Sequence, residues 1–219
     1  MALKLYGHPF SSYTQKVLIA LYENNIPHEF CCIGNDKPEH STEWMRRWPL
    51  RKFPMLVDGE HHIVESSIII EYLQLNYICP IHLLPADSSE ALEVRFLDRF
   101  FDLYVMTPVQ EAVSGALTGD LVKRQEALKL AVEKLERAYT WLEEHLVGKI
   151  WAAGSMFSLA DCAAAPSLFY ADWVLEIPEK FPLLRGYRAR LLAHPSFARA
   201  VEEARPFRHY FPLGAPDRD

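Results

Sequence analysis

The most constraining feature of this 219-residue chain is an asymmetry in patterning. Every convincing strand signal lies before Tyr77, and from Ser88 onward only helical periodicity is found. Before Tyr77 the order is strand, helix, strand, loop, hairpin, helix. Ala2 to Tyr6 reads as a short strand, and Gly7-His8-Pro9-Phe10 as a turn. A helical pattern runs from Ser11 to about Asn25, with Val17, Ala20 and Leu21 on one face. His28 to Ile33 reads as a second strand. A strand–helix–strand opening favours a parallel pair. A polar stretch from Gly34 to Arg47 has room for one short helix. Met55 to Asp58 and His62 to Glu65 flank a tight turn at Asp58-Gly59 and read as a hairpin. A helix then starts at Ser66 or Ser67 and passes through Tyr72 and Leu75.

The expected architecture is therefore two-part: a small α/β domain over residues 1–77, a linker over 78–87 and an all-helical domain over 88–219. Helical patterns cover roughly 88–117, 121–147, 158–174, 180–193 and 195–204, with Pro108 expected to bend or interrupt the first. The proline-rich tail after Pro206 is expected to lie along the surface.

Bulk chemistry narrows the function classes. The net charge is −6 and no basic stripe is present, which argues against nucleic acid. The longest apolar run, Leu159 to Ile177, carries Asp161, Asp172 and Glu176, which a membrane span would not tolerate easily. The N-terminus shows no apolar leader, so a cytoplasmic location is expected. Cys31, Cys32, Cys79 and Cys162 form no CxxC pair and no zinc-type spacing with histidine. Adjacent His61-His62 lie on a hairpin where neighbours face apart, so no metal is expected.

Three places can carry chemistry. The loop from His8 to Thr14 joins a strand to a helix N-terminus, where free N–H groups and the dipole favour an anion such as a thiolate. Ser11 or Ser12 can add a hydroxyl donor there, or can act as a plain helix cap. No GxSxG elbow is present for a hydrolase. At Phe53-Pro54, a cis bond would turn the Phe53 backbone toward an extended peptide, whereas a trans bond would simply open an edge strand. Arg51 and Lys52 beside it can meet a carboxylate or remain solvated. Glu65-Ser66 marks a second strand-to-helix junction. Ser66 and the first-turn N–H groups suit a ligand carboxylate, and Glu65 a ligand ammonium. Together the three describe a short thiol peptide with a free amino-acid terminus.

Residues 3–75 resemble the thioredoxin-like domain of the cytosolic glutathione transferases. The resemblance rests on Leu5-Tyr6, Ser11-Ser12, Ile26-Pro27-His28-Glu29-Phe30, Lys52 to Gly59, and Glu65-Ser66 with Ile69-Ile70 and Tyr72-Leu73. Ser158-Leu159-Ala160-Asp161 resembles the family's buried capping box in the helical domain, a folding element. The resemblance implies glutathione as co-substrate, Ser11 as the thiolate-stabilising residue, and Phe53, Pro54, Glu65, Ser66 and Lys52 as glutathione contacts, with His40 as a weaker candidate for the glycine end. Ser12 and Tyr13 stay open as alternatives to Ser11. It further implies a homodimer, and a hydrophobic electrophile held by Phe10, Tyr13, Tyr104 and Phe169. Trp48 stands where the family usually has asparagine, and Arg51 where glycine, glutamine or histidine is common. The Ser11-Ser12 pair also resembles that of the maleylacetoacetate isomerases, although Tyr13 replaces the cysteine of their Ser-Ser-Cys motif. Isomerisation, and glutathione binding without turnover, are the rival expectations.

Overall fold

The computed structural model describes residues 3–34 and 36–219, so Ala2 of the expected first strand lies outside them. The sheet half comprises β1 (Lys4–Gly7), α1 (Ser12–Glu23), β2 (Glu29–Cys32), α2 (Pro38–Arg47), β3 (Met55–Asp58), β4 (His61–Val64) and α3 (Ser66–Asn76). The strands form one sheet in the order β2-β1-β3-β4. β1 and β2 are parallel, as a strand–helix–strand unit requires, and the β1–β3 and β3–β4 pairs are antiparallel. Side chains alternate across this sheet. Leu5 and Leu56 face the large core beneath α1 and α3. Tyr6, Cys31, Met55 and Val57 face the opposite side, where Trp44 of α2 covers them.

Helices make up the remainder: α4 (Ser88–Phe100), α5 (Thr107–Leu117), α6 (Leu121–His145), α7 (Leu159–Val174), α8 (Pro182–Ala193) and α9 (Pro195–Ala204). Asp87 caps α4 by accepting the Ser89 and Glu90 N–H groups, and Asp120 caps α6 through Val122 and Lys123. Pro108 does not interrupt the path. Residues Phe101–Met106 widen into a π-helical segment, and Pro108 then sits in the first turn of α5, where its missing N–H is tolerated. A 3-10 helix (Arg205–Tyr210) follows α9. The tail beyond it is not confined to the surface. Phe211 is buried against Tyr170 and Trp173, and Arg218 pairs with the buried Asp172 carboxylate at 2.5 Å.

α7 is the buried spine of the helical half; nearly every residue from Leu159 to Trp173 is out of water. Its start is set by Asp161, which is fully buried and accepts four hydrogen bonds. The donors are the Ala152 and Ser158 N–H groups, each at 2.9 Å, the Ser158 hydroxyl at 3.1 Å and the Tyr187 hydroxyl at 2.6 Å. The stretch between α3 and α4 is pinned by two side-chain amides. Asn24 bonds both backbone groups of Ile81, and Gln74 both backbone groups of Leu84.

Candidate functional site

A cavity of about 320 Å³ opens where the sheet half meets α4 and the π-helical segment. One wall is Trp48, Lys52, Phe53 and Pro54, just ahead of β3. The Phe53–Pro54 bond is cis. This wall hangs from α2, because the Trp44 indole N–H donates to the Lys52 carbonyl at 3.0 Å. The second wall is Val64, Glu65 and Ser66, where β4 turns into α3. Glu65 makes that turn with φ at 68°, a left-handed conformation seldom adopted by residues other than glycine. The turn ends β4 at Val64, one residue short of the expected strand end, and aims the first turn of α3 at the cavity. The N–H groups at that helix start have no partners within the helix, so they are available to an anion.

The third wall joins the two halves: Tyr13 of α1 stands with Arg99 of α4 and with Asp102 and Leu103 of the π-helical segment. Behind it lies a charge cluster. The Lys16 ammonium is buried, 2.5 Å from Asp98 and 2.9 Å from Asp102. It also donates to Ser67 Oγ at 3.0 Å, and the Ser67 hydroxyl donates to Asp98 at 2.8 Å. Arg99 closes the cluster over both carboxylates and Ser67. Two cations and two carboxylates balance, and each charge is hydrogen-bonded, which a buried ion group requires. Burial pushes the Asp102 carboxyl up, against the pull of Lys16. None of Lys16, Ser67, Asp98, Arg99 or Asp102 is a candidate from sequence. The one available signal is a lysine among the apolar residues of α1.

The structure brings Lys52, Phe53, Pro54, Glu65, Ser66 and Tyr13 to one cavity. Ser11 and Ser12, at the start of α1 immediately ahead of Tyr13, are not among the residues that line it. Ser11 is the N-cap; its Oγ accepts the Thr14 N–H at 3.3 Å, which leaves the hydroxyl proton free to donate elsewhere. Ser12 is buried, and its Oγ has no hydrogen-bond partner among the described residues. The loop ahead of Ser11 is held from α7. The Tyr170 hydroxyl donates to the Phe10 carbonyl at 2.9 Å and accepts from the Gln15 amide, which also donates to the Pro9 carbonyl. Burial pushes the Tyr13 phenol up to about 12, with Asp102 adding to the shift and Arg99 opposing it. It therefore stays protonated across the physiological range and keeps a proton to donate.

Other expected site residues are not brought together. His40 lies on α2 facing β2, with its Nδ1 3.1 Å from the Cys32 carbonyl, away from the cavity. Phe10 and Phe169 pack with Trp173, and Tyr104 lies on an outer face with Phe100 and Trp141. Of the four residues expected around an electrophile, Tyr13 alone reaches this cavity.

Two family models match the chain: glutathione S-transferase, N-terminal domain over residues 5–78, and glutathione S-transferase, C-terminal domain over residues 125–190. A probable maleylacetoacetate isomerase of Vibrio cholerae is 30% identical over 215 residues, covering 94% of this chain and 98% of that protein. Human glutathione S-transferase theta-2 is 30% identical over 200 residues, covering 88% of this chain and 82% of that one. Among solved structures, a glutathione S-transferase of Rhodospirillum rubrum superposes with a TM-score of 0.74 at 26% identity, covering 96% of this chain and 99% of that one. Glutathione transferase F7 of Populus trichocarpa superposes with a TM-score of 0.79 at 23% identity, covering 92% and 98%, a likeness of fold.

Proposed function

The chain belongs to the glutathione S-transferase family, and from that premise we propose that it activates the thiol of glutathione for attack on a small hydrophobic electrophile. The observation that carries this reading is the meeting of Phe53-Pro54 and Glu65-Ser66 on adjacent walls of one cavity. Ser66 and the start of α3 take the γ-glutamyl carboxylate, Glu65 its ammonium, the Phe53 backbone the cysteinyl unit, and Lys52 the glycine carboxylate. A free thiol has a pKa of about 8.5, so little thiolate exists at neutral pH. The free Ser11 proton and the positive end of α1 stabilise the thiolate and raise that fraction. The electrophile is held against Tyr13 and Leu103, and proximity does the rest.

Ser11→Ala tests the assignment. The acid limb of kcat/KM, where rate rises as the thiolate forms, is expected to move to higher pH. Activity at neutral pH is expected to fall about 10- to 100-fold, each tenfold step being about 1.4 kcal/mol. Tyr13→Phe is expected to leave the position of that limb alone, because on this assignment the Ser11 hydroxyl and not the phenol donates to the thiolate. An unmoved limb in Ser11→Ala together with a moved one in Tyr13→Phe would transfer the role to Tyr13, which stands on the cavity wall. Failure to bind immobilised glutathione would overturn the reading as a whole.

The isomerase reading is favoured by the near full-length likeness to the Vibrio cholerae protein. Turnover of maleyl compounds without conjugation of chlorinated nitroaromatics would establish it, and binding with neither activity would indicate a scaffold. Among the described residues, no helix is long and apolar enough to cross a membrane. A homodimer is supported by an unpartnered apolar face on which Phe96, Leu103 and Tyr104 are about half exposed beside Phe100 and Trp141. Light scattering is expected to give twice the mass of one chain; a single-chain mass at micromolar concentration would exclude the dimer.

A further inference from the structure

On the far side of the sheet from α1, three side chains of different chemistry converge. Glu29 and Cys31 are two apart on β2 and so share a face. His40 enters from the first turns of α2, the helix that covers that face. One ligand atom from each lies within 4.8 Å of the other two, and Cys31 Sγ is already 3.7 Å from Glu29 Oε1. We propose that Glu29, Cys31 and His40 form a binding site for a thiophilic divalent cation of the zinc type, separate from the glutathione cavity and independent of the function proposed above.

The donor set supports this. Thiolate, imidazole and carboxylate are the ligands zinc takes, and three protein ligands with one open position is a recurrent arrangement. A cation at their centre would sit within about 2.8 Å of each ligand atom, against roughly 2.0–2.3 Å for zinc bonds, so the side chains close inward by less than about 1 Å. His40 is already oriented. Its Nδ1–H donates to the Cys32 carbonyl at 3.1 Å, which fixes the tautomer and leaves Nε2 as the basic nitrogen. The Tyr6 ring meets the imidazole edge-on at 6.2 Å and limits its rotation.

Two groups oppose the cation. Lys4 holds Glu29 Oε2 at 3.0 Å and must release it; both side chains are about half exposed, so this pair is weak. The Cys31 thiol, pushed up to about 11 by burial and by Glu29, is protonated without metal. Binding forms the metal–sulfur bond and passes the thiol proton to solvent. Spacing alone gives no hint of the site, since Cys31 and His40 are nine positions apart with a loop between them.

The test is titration of the reduced full-length protein with zinc against a chromophoric chelator, and with cadmium while following the cadmium–thiolate ultraviolet band. The expected result is one equivalent bound with the thiolate band present, and at least a 100-fold loss of affinity in both Cys31→Ser and His40→Gln. His40 is half-buried on a helix surface, so His40→Gln folds even if the buried Cys31→Ser does not. Lys4→Met is expected to tighten binding by removing the competing cation. No binding at micromolar metal would overturn the site, as would an affinity unchanged in His40→Gln. Glutathione binding in the metal-free protein is read separately, so failure here leaves the transferase proposal untouched.

Discussion

Lys16→Met is expected to remove about 3–5 kcal/mol of folding stability, a large part of the total for a domain of ordinary stability. Methionine keeps the apolar stem and deletes only the ammonium. That leaves Asp98 and Asp102, with side chains 3% and 8% exposed, short of their central cation. Arg99 still touches both, but its side chain is half exposed and cannot replace a charge buried between them. Because Lys16 lies on α1 and the two aspartates on α4 and the π-helical segment, the loss also loosens the contact that forms the third cavity wall. Urea unfolding gives the stability, and glutathione affinity is expected to fall with it. Adding Asp98→Asn to Lys16→Met should restore part of the loss, as coupled neighbours do. A single-variant cost below about 1 kcal/mol would mean that the cluster is not the joint between the two halves.

Asp161→Ala is expected to be at least as severe, above about 4 kcal/mol and enough to prevent soluble expression. Four donors lose one acceptor group: two backbone N–H groups and the hydroxyls of Ser158 and Tyr187. All lie out of water, and an unsatisfied buried donor costs about 1–3 kcal/mol. Asp161→Asn keeps one carbonyl oxygen and should fall between the two. Where the Asn variant folds, its kcat/KM is expected to match the parent, since Asp161 touches no cavity wall. A stable Asp161→Ala protein, or a folded Asn variant with impaired turnover, would contradict a purely structural role.

The strand and helix order was legible because it rests on periodicity and turn chemistry, which are local. Glu65 marks one limit. Its left-handed backbone ends β4 early, and nothing about a glutamate announces that conformation. Pro108 marks another: the π-helical segment before it absorbs the break that proline would otherwise impose. At the site, motifs within one loop or junction were readable, so Phe53, Pro54, Glu65 and Ser66 were found together. Residues whose relevance depends on which face of a helix meets which neighbour were not. Lys16 has no visible role until α4 is laid against it. Phe10, Phe169 and Tyr104 read as one greasy pocket until the helices send Phe10 and Phe169 to Trp173 and Tyr104 to an outer face. His40 reads as a glycine-end contact until α2 turns it toward β2.

The Tyr170 hydroxyl bridges the Phe10 carbonyl and the Gln15 amide from the middle of α7. The backbone that presents Ser11 is thus measured out by a residue nearly 160 positions away. Every expected glutathione contact belongs to the first third of the chain, yet the gauge that sets the reactive loop belongs to the last third. The two halves are consequently one inheritance: a recombinant that joined this sheet half to a foreign helical partner would keep the peptide's berth and lose the ruler by which its sulfur is aligned.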